Sequence, residues 1–368
     1  MRIRTRNLRE NTEMVKAPAL VVALDKGQTA VNTTRNMRLI DHSLRIFSTD
    51  NELCIPLVRS VDELESGRLS DALDQIRVED REFGERSQRH RTLTEAVKID
   101  LPPELLAIVP KSFEVIGRIA IIELPDELVP VEELIGAGVL ELCPSVRTVM
   151  AKAGAFSSDY RTRELRLIAG EDNSMTCYKE HGCTYELDVR TVFFSTRLSH
   201  ERLRIACQVK PGERVVDMFA GVGPYSILVA RKQPLSTVYA VDANPAAFKF
   251  LVSNVLGNRV LRSVSPMMGD IREVVRSHLL GVADRLIMNL PGEALSFVDV
   301  ACSSLSEKGG VIHFYSFESD ENPHEAASGK LKRQIEASGR KLKSILAVRT
   351  VKEVAPCRFQ VAVDARVG

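Results

Sequence analysis

The sequence predicts an α/β protein: a doubly wound parallel sheet in the C-terminal part, preceded by a middle α+β domain and a small N-terminal α+β domain. Three observations carry this. From about residue 206, short apolar runs ("RVVDMFAG", "STVYAVDANP", "PMMGD", "RLIMNLPG", "GGVIHFYSF") alternate with helical patterns, as in parallel strands joined by crossover helices. Residues 76–91, "IRVEDREFGERSQRHR", hold nine Asp, Glu or Arg residues out of sixteen, which predicts a linker or a solvated helix that buries little. A chain of 368 residues is long enough for more than one core.

The elements follow in chain order. Over residues 1–70, "ALVVAL" and "LCIPLV" read as strands around a helical "AVNTTRNMRLI". The charged linker is placed at 71–91. In the middle domain, 92–205, "FEVIGRIAIIELP" predicts a strand pair and "GAGVLELCPSVRTVMAKAG" a strand followed by a helix. "RTRELRLIAGE" and "CTYELDVRTVFFSTRL" are strand-like by their β-branched and aromatic content. Residues 206–368 form the doubly wound domain.

Hydrophobic residues make up 44% and charged residues 27% of the chain, ordinary values for a globular protein, and the formal net charge is +1. Any nucleic-acid contact therefore depends on local basic clusters. Arg2, Arg4, Arg6 and Arg9 form one, and Lys330, Lys332, Arg333, Arg340, Lys341 and Lys343 another; solvated faces carry such clusters too. The seven cysteines are odd in number and form no CxxC pair, so reduced thiols, a cytoplasmic location and no metal site are expected. No apolar stretch of about 18 residues or more is present, so no membrane association is expected.

In "VVDMFAGVGPYSILVA" a buried strand runs into Asp217, then a loop with Gly221 and Gly223, then a helix. Doubly wound sheets bind ligands at such carboxyl ends of strands. The spacing is neither GxGxxG nor GxxxxGK[ST], which disfavours a dinucleotide pyrophosphate or a nucleoside triphosphate. Asp242 closes the next strand, where an acid can accept both hydroxyls of a ribose, and Asp270 closes the third, where it can accept from an adenine amino group. Singly, a glycine loop is also a tight turn and an Asp at a strand end also a helix cap. In ordered succession they suit an adenosine without phosphates, and S-adenosylmethionine is the natural candidate.

"MNLPG" at 288–292 sets Asn289 on a rigid turn at the end of a fourth strand. An exocyclic-amine methyltransferase would carry Asn or Asp, then two prolines and a stacking aromatic; here Leu290 and Gly292 stand instead. A uracil-C5 methyltransferase would need a cysteine nucleophile beside this loop, and none is near in sequence. Glu201 in "SHERLRIA" has two readings: a proton-accepting carboxylate, or a first-turn acid behind Ser199 as N-cap, there to meet the helix dipole. For Arg161, in "YRTREL", a surface ion pair is the plain alternative to a site role.

The runs "FFSTRLSHERLRIACQVKPGERVVDMFAGVGPYSI", "YRTRELRLIAGEDNSMTCYKEHGC", "RLIMNLPGEALSFVDVA" and "VRTVKEVAPCRFQVAVDARV" resemble the archaeal and eukaryotic tRNA (guanine-37, N1) methyltransferases. The resemblance is strong from about residue 92 onward and weaker over 1–70, which correspond in position to that family's small tRNA-docking domain. It implies a Rossmann-like class I methyltransferase domain over 206–368, S-adenosylmethionine as cofactor, tRNA containing G37 as partner, and a monomer. It puts Glu201 at the general base, Arg161 at the guanine O6 contact and Asn289 at the amide that orients the base beside the cofactor. Arg202, Asp242 with Ala243, and Asp270 with Ile271 fall on cofactor-binding positions, beside Asp217, Gly221 and Gly223. Two residues depart from the pattern: Phe193 where a Tyr is common, and Thr196 where a Pro is common and a looser turn before Glu201 is expected. A relative that also methylates C7 of a wyosine precursor at position 37, and a non-catalytic tRNA-binding protein, are the competing readings.

Overall fold

The apolar run in "MVKAPALVVA" makes β1 (Met14–Ala23) an inner strand of a small sheet, buried on both sides, with Leu20 and Val22 in one core cluster and Ala17, Ala19 and Val21 in another. The computed structural model describes residues 14–73, 75–84, 90–156, 163–319 and 321–368. The chain divides into two units, Met1–His90 and Arg91–Gly368.

In the first unit α1 (Gly27–Asn36), β2 (Phe47–Ser48), β3 (Glu52–Pro56), α2 (Glu63–Leu73) and β4 (Arg77–Gly84) follow β1. The four strands form an antiparallel sheet in the order β2-β3-β1-β4. Leu20, Val22 and Ile55 of the sheet pack with Ala30, Leu69 and Leu73 of the helices. Residues expected as a charged linker or solvated helix over 71–91 therefore hold the end of α2 and the whole of β4. The reason is that an edge strand needs ladder bonds on one side only, so its charges can stay in water. β4 pairs with β1 from Met14↔Gly84 to Val21↔Arg77, and its single anchor, Phe83, is buried with its ring 5.3 Å from that of Phe47.

The second unit opens with two short helices, α3 (Leu93–Ala96) and α4 (Pro103–Leu106). Next come β5 (Glu114–Ile116), β6 (Ile119–Ile122), α5 (Glu132–Leu142), β7 (Thr148–Phe156) and β8 (Arg163–Gly170), whose strands form a sheet in chain order. "GAGVLELCPSVRTVMAKAG" is thus a helix followed by a strand, the reverse of the expectation. Gly136 and Gly138 read as strand or turn residues in sequence, but they are where α5 presses on its neighbours. A Cβ at Gly136 would lie 2.7 Å from Ala169 Cβ, and one at Gly138 2.6 Å from Val97 Cγ1.

A hairpin, β9 (Met175–Glu180) and β10 (Cys183–Asp188), leads to α6 (Ser199–Ala206). Then come β11 (Arg214–Asp217), α7 (Pro224–Lys232), β12 (Thr237–Asp242), α8 (Pro245–Gly257), β13 (Val264–Met268), α9 (Ile271–Val274), β14 (Arg285–Met288), α10 (Val298–Ser304), β15 (Gly310–Glu318), α11 (Pro323–Ala337), β16 (Leu342–Ala355) and β17 (Arg358–Val367). The seven-stranded sheet runs β13-β12-β11-β14-β15-β17-β16. Its first five strands are parallel, as the alternating pattern predicts; β17 adds antiparallel to β15, and β16 to β17. One face is covered by α7 and α8 and the other by α9, α10 and α11, which fixes the Rossmann-like class.

Asn254 of α8 and Asn258 at its C-cap tie the β9–β10 hairpin to this domain. Asn254 accepts from Glu186 N at 2.8 Å and donates to Glu186 O at 3.0 Å, while Asn258 accepts from Thr184 N at 2.9 Å and donates to Thr184 O at 2.6 Å. Each amide stands in for a backbone partner on the free edge of β10. Among the described residues no helix is long and apolar enough to cross a membrane, and no group of three potential metal ligands occurs.

Candidate functional site

The sheet order β13-β12-β11-β14 sets Asp270, Asp242, Asp217 and Asn289 side by side, each at or just beyond the carboxyl end of its strand. At about 4.8 Å per strand this row is about 14 Å long. Asp217 is fully buried; Ser226 Oγ donates to its Oδ2 at 2.7 Å, and its Oδ1 has no partner among the described residues. Burial pushes this carboxyl up to about 7, with the Ser226 hydrogen bond pulling the other way and Asp242 adding to the rise. An orphaned carboxylate oxygen beside a glycine loop fits a ligand that brings a cationic donor, as an amino-acid ammonium does.

The loop is built for close approach. Gly221 (φ +57) and Gly223 (φ +92) adopt the left-handed region, and a Cβ at Gly223 would lie 2.7 Å from Leu251 Cδ1. Gly221 N donates to Asp242 Oδ2 at 2.6 Å, and Asn244 N to Asp242 Oδ1 at 2.9 Å. One lone pair on each oxygen is left for a bidentate partner such as a ribose. Burial raises the Asp242 pKa against these two backbone donors. Asp270 is exposed and caps α9, accepting from Arg272 N at 2.7 Å, and Ile271 after it is buried; Ala243, which follows Asp242, is exposed.

Glu201 lies on α6 and is 5% exposed. Ser199 does not cap this helix, its Oγ meeting His181 Nε2 at 2.8 Å, although Glu201 does stand in the first turn, as the helix-dipole alternative has it. The Glu201 carboxylate turns to the sheet instead. Tyr315 Oη donates to Oε1 at 2.7 Å, Arg204 NH2 to Oε1 at 2.6 Å, Arg204 Nε to Oε2 at 3.0 Å, and Arg349 NH1 stands 3.5 Å from Oε2. Met288 of β14 pairs with Phe314 of β15, so Asn289, one residue on, is level with Tyr315. The tyrosine that holds Glu201 therefore stands on the strand beside the Asn289 turn. Asn289 Oδ1 accepts from Gln360 Nε2 at 3.4 Å, and Pro291 O accepts Phe317 N–H at 3.2 Å, which pins the turn.

Arg202 is used differently from the expectation of cofactor contact. It is 1% exposed; NH2 donates to Glu180 Oε2 at 2.7 Å, Nε to Glu180 Oε1 at 2.5 Å and NH1 to Ser195 O at 3.1 Å. These three bonds brace α6 against β9. The Thr196 expectation is also corrected: Thr196 N donates to Glu114 Oε1 at 2.7 Å and Thr196 Oγ1 to the same oxygen at 2.9 Å, so this turn is pinned rather than loose. A proline could offer neither bond. Phe193 is 46% exposed beside a cavity of ≈ 460 Å³ whose lining includes Lys111, Lys152 and Arg197 but none of the strand-end acids. Arg161 and the cluster Arg2, Arg4, Arg6 and Arg9 lie outside the described residues.

Sequence reasoning missed Arg204, Tyr315, Arg349 and Asp364. Two signals were available: Arg204 follows Glu201 by three residues on one helix, and His313 and Tyr315 share a face of one strand.

Residues 176–343 match the TRM5/TYW2 methyltransferase domain, and residues 93–173 the TYW2 N-terminal domain. The tRNA (guanine(37)-N(1))-methyltransferase Trm5b of Pyrococcus abyssi is 37% identical over 350 residues, 95% of this chain and 99% of that protein. Its crystal structure superimposes with a TM-score of 0.71 over 96% of this chain and 99% of that one, at 36% identity. A structure described as the complex of aTrm5 and tRNALeu gives a TM-score of 0.74 at 29% identity, covering 95% of this chain and 99% of that one. The tRNA 4-demethylwyosine(37)-methyltransferase Taw21 of Saccharolobus solfataricus is 36% identical over 258 residues, 70% of this chain and 94% of that protein. With the strand-end acids, the glycine loop and a match of this length, the chain belongs to the TRM5/TYW2 methyltransferase family.

Proposed function

We infer that the chain transfers a methyl group from S-adenosylmethionine to N1 of guanosine 37 in tRNA, next to the anticodon, and so supports reading-frame maintenance. The observation that carries this is the extent of the kinship: Trm5b of Pyrococcus abyssi matches 95% of the chain, whereas Taw21 matches 70%. A match of 95% must include much of the first unit as well as the second.

The chemistry suits the residues. Guanine N1 bears a proton and is a poor nucleophile until that proton leaves. Glu201 supplies the carboxylate that takes it. The electron pair freed on N1 forms the new N–C bond. Bound S-adenosylmethionine supplies a methyl carbon made electrophilic by its sulfonium and retains the S–C electron pair as a thioether. Negative charge that gathers on O6 is met by Arg161 in this proposal, much as an oxyanion donor would meet it. Asn289 orients the guanine, which must leave the anticodon-loop stack to reach the strand ends. Asp217, Gly221, Gly223, Asp242, Ala243, Asp270 and Ile271 would hold the cofactor, while Arg202 ties α6, which carries Glu201, to Glu180 of β9. The first unit as a tRNA-docking domain, a monomeric state and a cytoplasmic location belong to the same proposal.

The test is methyl transfer from labelled S-adenosylmethionine to two tRNA transcripts, one with G37 and one with A37, followed by digestion to nucleosides. Label in the G37 transcript as 1-methylguanosine is expected. Equal labelling of both transcripts, or label found only on a wyosine precursor supplied in place of G37, would overturn the reading.

A further inference from the structure

Behind Glu201 runs a chain of buried polar groups that ends far from the strand-end acids. Arg204, whose side chain is 14% exposed, spans from Glu201 to Asp364 of β17. Its NH2 donates to Glu201 Oε1 at 2.6 Å and to Asp364 Oδ1 at 3.1 Å, and its NH1 donates to Asp364 Oδ2. Asp364 Oδ1 also receives His313 Nδ1 at 2.6 Å, across a direct β15–β17 pair. Arg285 NH1 reaches His313 Nε2 at 2.7 Å, and Arg285 Nε donates to Glu213 at 2.8 Å.

The protons in this chain can be assigned. Arginine has no acceptor, so His313 Nε2 must present its lone pair to Arg285, and the single ring proton then sits on Nδ1, donated to Asp364. Burial lowers the His313 pKa and so favours this neutral form, although Asp364 opposes the shift. Asp364 is held well below the usual carboxylate range, its burial outweighed by the bonds from His313 and Arg204. Arg204 is held protonated, its burial outweighed by the bonds from Glu201 and Asp364. Each link joins a donor to an acceptor, and three carboxylates (Glu201, Asp364, Glu213) face three guanidiniums (Arg204, Arg285, Arg349).

The two oxygens of Glu201 are loaded unequally. Oε1 receives both close donors, from Tyr315 at 2.7 Å and Arg204 NH2 at 2.6 Å. Oε2 receives Arg204 Nε at 3.0 Å and lies 3.5 Å from Arg349, whose side chain is 39% exposed. We propose that Arg204 is the positioning residue of the proton-accepting carboxylate: bridging Glu201 to Asp364, it anchors Oε1 and presents Oε2 to the guanine N1–H. This rests on the reading of Glu201 as the base. It also gives the antiparallel strand β17 a part in the reaction, because the far anchor is Asp364.

The test is a double-mutant cycle on the full chain, reading the single-turnover rate on a G37 transcript at saturating cofactor and tRNA, with each affinity measured separately. Arg204→Lys is expected to lower the rate about 10- to 100-fold, since it misplaces the carboxylate, while both affinities stay within about twofold. In a Glu201→Gln background the same substitution should cost nothing further. Asp364→Asn preserves side-chain volume, breaks the bridge from its other end and completes the cycle where Arg204→Lys is poorly folded; its smaller loss should vanish in the same background. Equal fold losses in both backgrounds would overturn the positioning role while leaving Glu201 as the base. Near-native turnover by Glu201→Gln alone would overturn the reading beneath it.

Discussion

At the scale of single residues, the site sets two carboxylates in opposite surroundings. Glu201 is met by cations and a phenol, whereas Asp217 is buried with one oxygen unmatched among the described residues. A carboxyl raised to about 7 from its ordinary 3.8 contributes stability below pH 3.8 and loses it as the pH rises through 7. Above that pH the ionised Asp217 costs the ligand-free chain about 4 kcal/mol relative to an unperturbed group. Ligand-free Asp217→Asn should therefore melt a few degrees above the native chain at about pH 8, with the gap narrowing as the pH falls from 7 and closing only by about pH 4, and should bind S-adenosylmethionine more weakly. A lower melting point at the higher pH would contradict the assignment. Asp217, Asp242 and Gly221 could be found from the sequence because each ends a strand or opens a turn in a local pattern. Arg204 and Asp364 could not be paired that way, being 160 residues apart and joined only when β17 is inserted beside β15.

At the scale of elements, the glycine loop offers a graded comparison. Gly223 and Gly182 both have positive φ, but a Cβ at Gly223 meets Leu251 and Ile227, while at Gly182 nothing lies within 4 Å. Gly182→Ala should cost about 1 kcal/mol, the strain of the left-handed region alone. Gly223→Ala should cost roughly 2–4 kcal/mol because overpacking adds to that strain, and it should also shift the loop and weaken cofactor binding. Thermal melts of the two variants, with cofactor titrations, make the comparison; equal costs would deny the loop its tight packing. The parallel strands were legible because they are short and apolar between turn signals. The order of α5 and β7 was not, since Gly136 and Gly138 look like strand or turn residues until the close contact with β8 and α3 is known. β4 was hidden for a related reason: its charges face water, and only Phe83 marks the buried side.

At the scale of the whole molecule, a net charge of +1 leaves tRNA recognition to local contacts, and the chain folds as two units with their own cores. If the first unit docks tRNA, a fragment spanning Arg91–Gly368 should bind S-adenosylmethionine like the full chain and lose about tenfold or more in tRNA affinity. Unchanged tRNA affinity would remove the docking role. The proposed reaction turns on one proton transfer, from guanine N1 to Glu201, and the single-turnover methylation rate of Glu201→Gln on a G37 transcript measures it most directly. A fall of about 100-fold or more with cofactor affinity unchanged is the predicted result, and a rate close to that of the native chain would contradict it.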